Sequence, residues 1–236
     1  MVLGDIKEVV RTTIGKRDIE PVILNYIIES GRRDIEKENN WYYMRKSANL
    51  TLVVGQQAYT VQSGGDINEA NFKDTRIYMY RHPSSNRFYE IPSGDRNQLD
   101  LQYTTTDSWA PCGYTMDDEA GVMSLLIYPP SPDLAYVTKL LYYAWSANPS
   151  ADTGTDELIA RWPELLIYSS IAQGYRIVTK EEELSTPWDS KMQLELAKLK
   201  RYDWFRMESE RNMIQPRRGP FTGTRDITAG NLKIYV

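Results

Sequence analysis

Apolar positions at Ile6, Val9, Val10 and Ile14 recur at helical spacing from Leu3 onward, and Gly15 supplies a stop, so the pattern predicts an amphipathic helix over 3–14. Asp18 reads as the cap of a second helix with Pro21 in its first turn. Val22, Ile23, Tyr26 and Ile27 continue one stripe toward Ile35, and the two helices make a hairpin. The segment from Gly31 to Asn40 alternates in charge sign and reads as a solvated helix end leading into the cluster Trp41-Tyr42-Tyr43-Met44.

After Met44 the period changes to two. Leu50, Leu52 and Val54 alternate with polar neighbours, and after a break at Gly55-Gln56-Gln57 comes Ala58-Tyr59-Thr60-Val61, the spacing of two antiparallel strands joined by a tight turn. Further strands are expected over 76–80 and 87–91, and another pair over 123–128 and 136–145, divided by Pro129-Pro130-Ser131-Pro132-Asp133, whose prolines cannot donate to a ladder.

Helical spacing returns near Asp156 with Leu158, Ile159, Trp162, Leu165, Leu166, Ile171 and Ala172, Pro163 lying in the first turns. Thr186-Pro187 then reads as cap and first residue of a long helix on which Trp188, Met192, Leu196, Leu199, Tyr202 and Phe205 follow at steps of three and four. Lys198, Lys200 and Arg201 suit its solvated outer face. From Gln215 the chain has no period and carries Pro216, Gly219, Pro220 and Gly223, yet it ends in the alternating pentad Leu232-Lys233-Ile234-Tyr235-Val236, which suits an arm docking on a neighbouring edge. The expected fold is therefore α+β: an antiparallel helix bundle from 1–45 and 155–213, an inserted antiparallel β unit at 46–154, and an extended C-terminal arm at 214–236.

Composition narrows the function. The chain has 236 residues and 17 tyrosines and 6 tryptophans against 4 phenylalanines, an aromatic surplus with polar handles that suits interfaces as well as cores. A formal net charge of -4 argues against a phosphate-neutralising grip on nucleic acid and would let DNA slide past. The single cysteine, Cys112, excludes an intramolecular disulfide and a multi-thiolate metal site, and no signal segment or membrane-spanning run is expected.

No set of residues suggests catalysis, a cofactor or a metal. His82, the one histidine, sits at a strand exit followed by Pro83, and Cys112 lies in a turn without an activating base and reads as a buried small hydrophobe. Asp152-Thr153-Gly154 matches the aspartic-protease tripeptide, but Asn148-Pro149-Ser150-Ala151 precedes it where that chemistry needs an apolar strand, and capping by Thr153 and Thr155 explains it better. Asp117-Asp118-Glu119 lacks the spaced ligands of a calcium loop and reads as a hairpin tip, and Ser63-Gly64-Gly65-Asp66 lacks the lysine and helix of a phosphate cradle. Asn49-Leu50-Thr51 fits a glycosylation sequon without a secretory signal to support it.

Several strings in this order resemble the head-to-tail adaptor proteins of tailed bacteriophages, also called connectors or tail tubular proteins. They are Ile14-Gly15-Lys16-Arg17-Asp18, Gly31-Arg32-Arg33-Asp34-Ile35-Glu36 with Asn40-Trp41-Tyr42-Tyr43-Met44, Gly55-Gln56-Gln57-Ala58-Tyr59, Ile127-Tyr128-Pro129-Pro130-Ser131-Pro132 and Trp162-Pro163-Glu164-Leu165-Leu166. The resemblance implies a non-enzymatic virion protein of the neck or tail, assembled in the host cytoplasm. It implies a ring of twelve copies around the DNA channel, with portal protein above, tail nozzle or fibre proteins below, and a C-terminal extension engaging the portal. Candidate partner-binding residues on that extension are Arg217 and Arg218 for carboxylates and Phe221, Leu232, Ile234 and Tyr235 as apolar anchors. A tail-completion or fibre-attachment protein is the alternative, and a tail hydrolase using Asp117 and Glu119 a more distant one.

Overall fold

Leu3, Ile6, Val10 and Ile14 are all buried on one face of helix α1 (Leu3–Ile14), as their spacing requires. The Asp5 carboxylate accepts the Val2 N–H at 2.9 Å at the start, and Gly15 closes the helix in the left-handed region that only glycine enters freely. The computed structural model describes residues 1–16, 18–81, 87–104, 107–119, 122–130 and 132–214, and contains six α-helices and two four-stranded sheets among them.

Helix α2 (Pro21–Lys37) starts with proline in its first turn as expected, but Glu20 precedes it and no side chain caps it, so Asp18 does not serve. Its apolar stripe divides in two: Leu24, Ile27, Ile28 and Ile35 are buried, whereas Val22, Ile23 and Tyr26 are exposed. Where one long helix was expected after Asp156, the chain forms α4 (Glu157–Arg161) and α5 (Pro163–Gly174), broken at Trp162 because Pro163 restricts the residue before it. The α4 cap is Asp156, whose carboxylate accepts the Ile159 N–H at 2.9 Å, in place of Thr153 or Thr155. A π-turn over Tyr175–Thr179 follows, then α6 (Glu182–Ile214). That helix begins before the expected Thr186-Pro187 start: Pro187 lies inside it, while Ser185 Oγ and Thr186 Oγ1 donate back to the Glu182 carbonyl at 2.7 and 3.4 Å.

Helix α5 is buried on nearly every side, and α1, α2 and α6 all pack on it. The closest approach is to α2, where Ser169 Oγ donates to the Gly31 carbonyl at 2.9 Å and Gly31 lies against the Ser170 backbone. The apolar core of this region runs from Leu3 to Leu199 and takes in Trp41, whose indole N–H donates to the Ile35 carbonyl at 2.8 Å.

Between these helices stand strands β1 (Arg45–Thr51), β2 (Ala58–Gln62), β3 (Ile67–Asn68), β4 (Phe72–Arg81) and β5 (Phe88–Ile91), helix α3 (Arg96–Gln102), and strands β6 (Gly113–Glu119), β7 (Val122–Tyr128) and β8 (Val137–Ala144). One sheet has the order β1-β8-β4-β5 and the other β3-β2-β7-β6, with β2 and β3 parallel. The expected β1–β2 and β7–β8 hairpins are both absent among the described residues. β1 pairs with β8, and β2 with β7, so in each case consecutive strands enter different sheets. Both sheets contribute to one core, in which Tyr78 of the first meets Tyr114 of the second edge to face at 5.2 Å.

Four buried tyrosines of this region keep their hydroxyls paired: Tyr78 donates to Thr138 Oγ1 at 3.0 Å, Tyr128 to Asp100 at 2.6 Å, Tyr136 to Asp133 at 2.8 Å and Tyr142 to Glu69 at 3.2 Å. Burial, with the Glu69 charge beside it, pushes the Tyr142 phenol up to about 12.

Candidate functional site: a buried polar joint and exposed apolar faces

The segment from Gly31 to Asn40, expected as a solvated helix end, carries the most deeply buried charges among the described residues. Arg32 and Glu36 are 1% and 0% exposed. Arg32 donates from Nε to Asn148 Oδ1 at 2.8 Å and places Nη2 2.7 Å from Asp156 Oδ2, so the carboxylate that caps α4 also neutralises α2. Glu36 accepts the Ser146 N–H at 3.2 Å and lies 3.4 Å from Arg33. Burial raises the Glu36 carboxyl above its ordinary value despite Ser146, Arg32 and Arg33, which favour its charge.

The same joint reaches the first sheet through Trp145, whose ring centroid is 5.2 Å from the Arg33 guanidinium and 4.7 Å from the Lys73 ammonium. Lys73 donates to the carbonyls of Glu36 and Asn39, placing a cation at the C-terminal end of α2 where the helix dipole favours one. Burial lowers its pKa, against the opposing pull of Glu36 and Asp74. On the other side the Asp203 carboxylate of α6 accepts the Tyr42 N–H at 2.7 Å, and Arg206 stacks 3.8 Å over the Tyr42 ring. These polar groups tie helices to strands; their arrangement is that of a joint.

The other candidates are also structural in their contacts. Gly154 and Asp152 accept the Leu3 and Gly4 N–H groups at 3.0 and 2.8 Å, and Asp152 pairs with Lys7, so the tripeptide anchors the start of α1. Asp117 pairs with Arg96 on the β6 side of the β6–β7 hairpin. Cys112 is half-buried, contrary to the buried hydrophobe expected, and its thiol lies 3.0 Å from the Tyr103 hydroxyl and 3.6 Å from the Tyr128 carbonyl. Among the described residues no group of three or more His, Cys, Asp or Glu side chains is placed to hold a metal, and no helix is long and apolar enough to cross a membrane. His82 and the arm residues Arg217, Arg218, Phe221, Leu232, Ile234 and Tyr235 lie outside the described residues.

What the sequence reading missed is apolar surface. Val22, Ile23 and Tyr26 of α2 line a shallow depression with Ile177 and Val178 of the π-turn. On α6, Leu194, Trp204 and Phe205 are exposed while Leu196 and Leu199 face the core. Clusters of this kind at helical spacing mark protein contact surfaces. The signal was present in α2, where Val22-Ile23-Tyr26 and Leu24-Ile27-Ile28 form two stripes, one more than a single core contact needs.

The described residues form a mixed α+β body with an internal polar joint and exposed apolar helix faces of the kind that contact other proteins. The chain belongs to the family described as SU10 adaptor protein, whose model it matches over residues 1–219, a family of phage head-to-tail adaptors. It is accordingly a structural phage protein of the virion. No curated protein matches the chain. Of the six arm residues, Arg217 and Arg218 fall within the matched stretch and Phe221, Leu232, Ile234 and Tyr235 beyond it.

Proposed function

We propose that this protein forms the adaptor ring between the portal and the tail of a tailed phage, with twelve copies enclosing the channel through which DNA passes, assembled in the host cytoplasm. The observation that carries the reading is the family match over residues 1–219, joined to a body whose exposed apolar faces suit contact with other proteins. In this reading residues 1–45 and 155–213 build the ring, and the β unit at 46–154 contacts nozzle or fibre proteins. The arm at 214–236 fastens onto portal or a neighbouring subunit. Arg217 and Arg218 pair there with carboxylates, and Phe221, Leu232, Ile234 and Tyr235 fill apolar sites. The net charge of -4 suits a lumen that does not grip DNA. The function is mechanical, and binding energy takes the place of chemistry.

Deleting residues 215–236 tests the arm. The truncated protein is expected to keep its unfolding temperature and to lose portal affinity in a co-sedimentation assay. Unchanged affinity would remove the arm from the docking mechanism.

A further inference from the structure

We infer that α2 and α6 carry the two halves of a contact between copies of this chain: the face around Val22, Ile23 and Tyr26 on one copy receives the face around Leu194 and Phe205 on the next. The inference rests on the ring reading above and assigns the surfaces that join its subunits.

The placement of the helices is the first argument. α5 runs antiparallel to both: Gly31 lies by Ser170 and Ile27 by Gly174 on α2, while Trp188 lies 5.9 Å from Tyr168 and Tyr202 5.8 Å from Trp162 on α6. α2 and α6 both pack on α5 and touch each other only peripherally, so their outward faces are separate surfaces of one helical layer. Two different surfaces that fit each other make a head-to-tail contact that repeats from copy to copy, as a ring needs.

Exposure is the second. Val22 is 76% and Tyr26 61% exposed on α2, and Leu194 is 68% and Phe205 52% exposed on α6. Eleven residues is close to three helical turns, so Leu194 and Phe205 point the same way, and each face presents apolar groups in register along its helix.

Charge is the third. Among the described residues, the chain segments flanking the α2 face hold five carboxylates, Asp18, Glu20 and Glu181 to Glu183, against the cations Lys16 and Lys180. The α6 stretch 191–201 holds four cations, Lys191, Lys198, Lys200 and Arg201, against Glu195 alone. Lys198 and Lys200 are already paired with Glu195 and Glu38, while Lys191 and Arg201 lie over the aromatic rings of Trp188 and Phe205. On α6 the cations Lys198 and Arg201 lie between Leu194 and Phe205 on the same stripe, so a face with a basic middle and apolar ends meets an apolar face flanked by carboxylates, a pairing favoured over either face meeting itself.

The test uses two full-length variants, Val22→Asp/Tyr26→Asp and Leu194→Asp/Phe205→Asp, studied alone and mixed by sedimentation velocity and native mass spectrometry. Circular dichroism controls for folding, and a milder pair, Tyr26→Ser and Phe205→Ser, repeats the comparison. Each variant alone is expected to self-associate at least ~10-fold more weakly than wild type. A mixture is expected to give one-to-one dimers that grow no further, because each variant keeps one working face. Wild-type assembly by either variant alone, or a mixture that stays monomeric where wild type assembles, would overturn the inference, and where wild type assembles only on portal the same comparison is made with portal present. If portal still recruits a twelvefold ring in those cases, the ring reading stands with other surfaces. Loss of portal recruitment alone, with self-association intact, would assign the faces to portal.

Discussion

Substituting Gly31 by alanine sets two effects of known sign against each other. In a helix interior the exchange gains about 1 kcal/mol from propensity. At this position, however, a Cβ would stand 2.8 Å from the Ser170 N and 3.0 Å from its Cα, backbone atoms that no side-chain rotation removes. Reaching ordinary contact at ~3.5 Å requires α2 and α5 to part by roughly 0.7 Å. That shift would stretch the 2.9 Å bond from Ser169 Oγ to the Gly31 carbonyl and disturb Arg32 and Glu36 beside it. Overpacking of this kind costs about 3 kcal/mol at the upper end of its usual range. The net expectation is a loss of about 2 kcal/mol, read in thermal unfolding as a fall of ~4–8 °C for a chain of this size. Ser170→Ala in the same background should recover less than half, since it removes only the Oγ contact at 2.9 Å. An unfolding temperature that rises by ~2–4 °C would mean that propensity alone governs the site and would refute the close α2–α5 contact.

Arg32→Met should cost about 3 kcal/mol by urea unfolding, because it leaves the carboxylates of Asp156 and Glu36 without their buried cation; a loss below about 1 kcal/mol would show the joint to be dispensable. Glu69 and Glu36 should give opposite pH dependences. Burial raises the Glu69 carboxyl, but Lys46, the Asn71 N–H and Tyr142 together bring it below its ordinary value of 4.5, so its stabilisation is present above that value and lost as pH falls through the lowered one. The deficit of Glu69→Gln relative to wild type should therefore shrink in acid. The folded-state value of Glu36 is raised, so native protein takes up a proton first, and wild type should gain on Glu36→Gln as pH falls from neutral toward 4.5. Parallel pH profiles for the two pairs of proteins would contradict both assignments.

Local patterns were legible where one contact surface decides them. α1 needed only its apolar spacing and Gly15, and the strands expected over 123–128 and 136–145, observed at 122–128 and 137–144, were marked by the proline-rich break between them. Partner choice was not legible, since a period of two fixes which face is buried but not which strand lies alongside; β1 and β2 are neighbours in sequence and belong to different sheets. Arg32 and Glu36 looked solvated because their partners Asn148, Ser146 and Asp156 lie more than a hundred residues away along the chain. Thr186-Pro187 has the form of a helix start, but upstream residues from Glu182 already formed the helix and absorbed the proline. The α2 and α6 faces were hidden by treating each helix as having one stripe, although Val22-Ile23 beside Leu24 leaves apolar residues pointing in two directions.

The measurement that bears most directly on the adaptor reading is the mass and rotational symmetry of the full-length protein, alone and mixed with purified portal, by native mass spectrometry and single-particle imaging. The account predicts a twelvefold ring, formed by the protein itself or on portal. A protein that remains monomeric and ignores portal would contradict it.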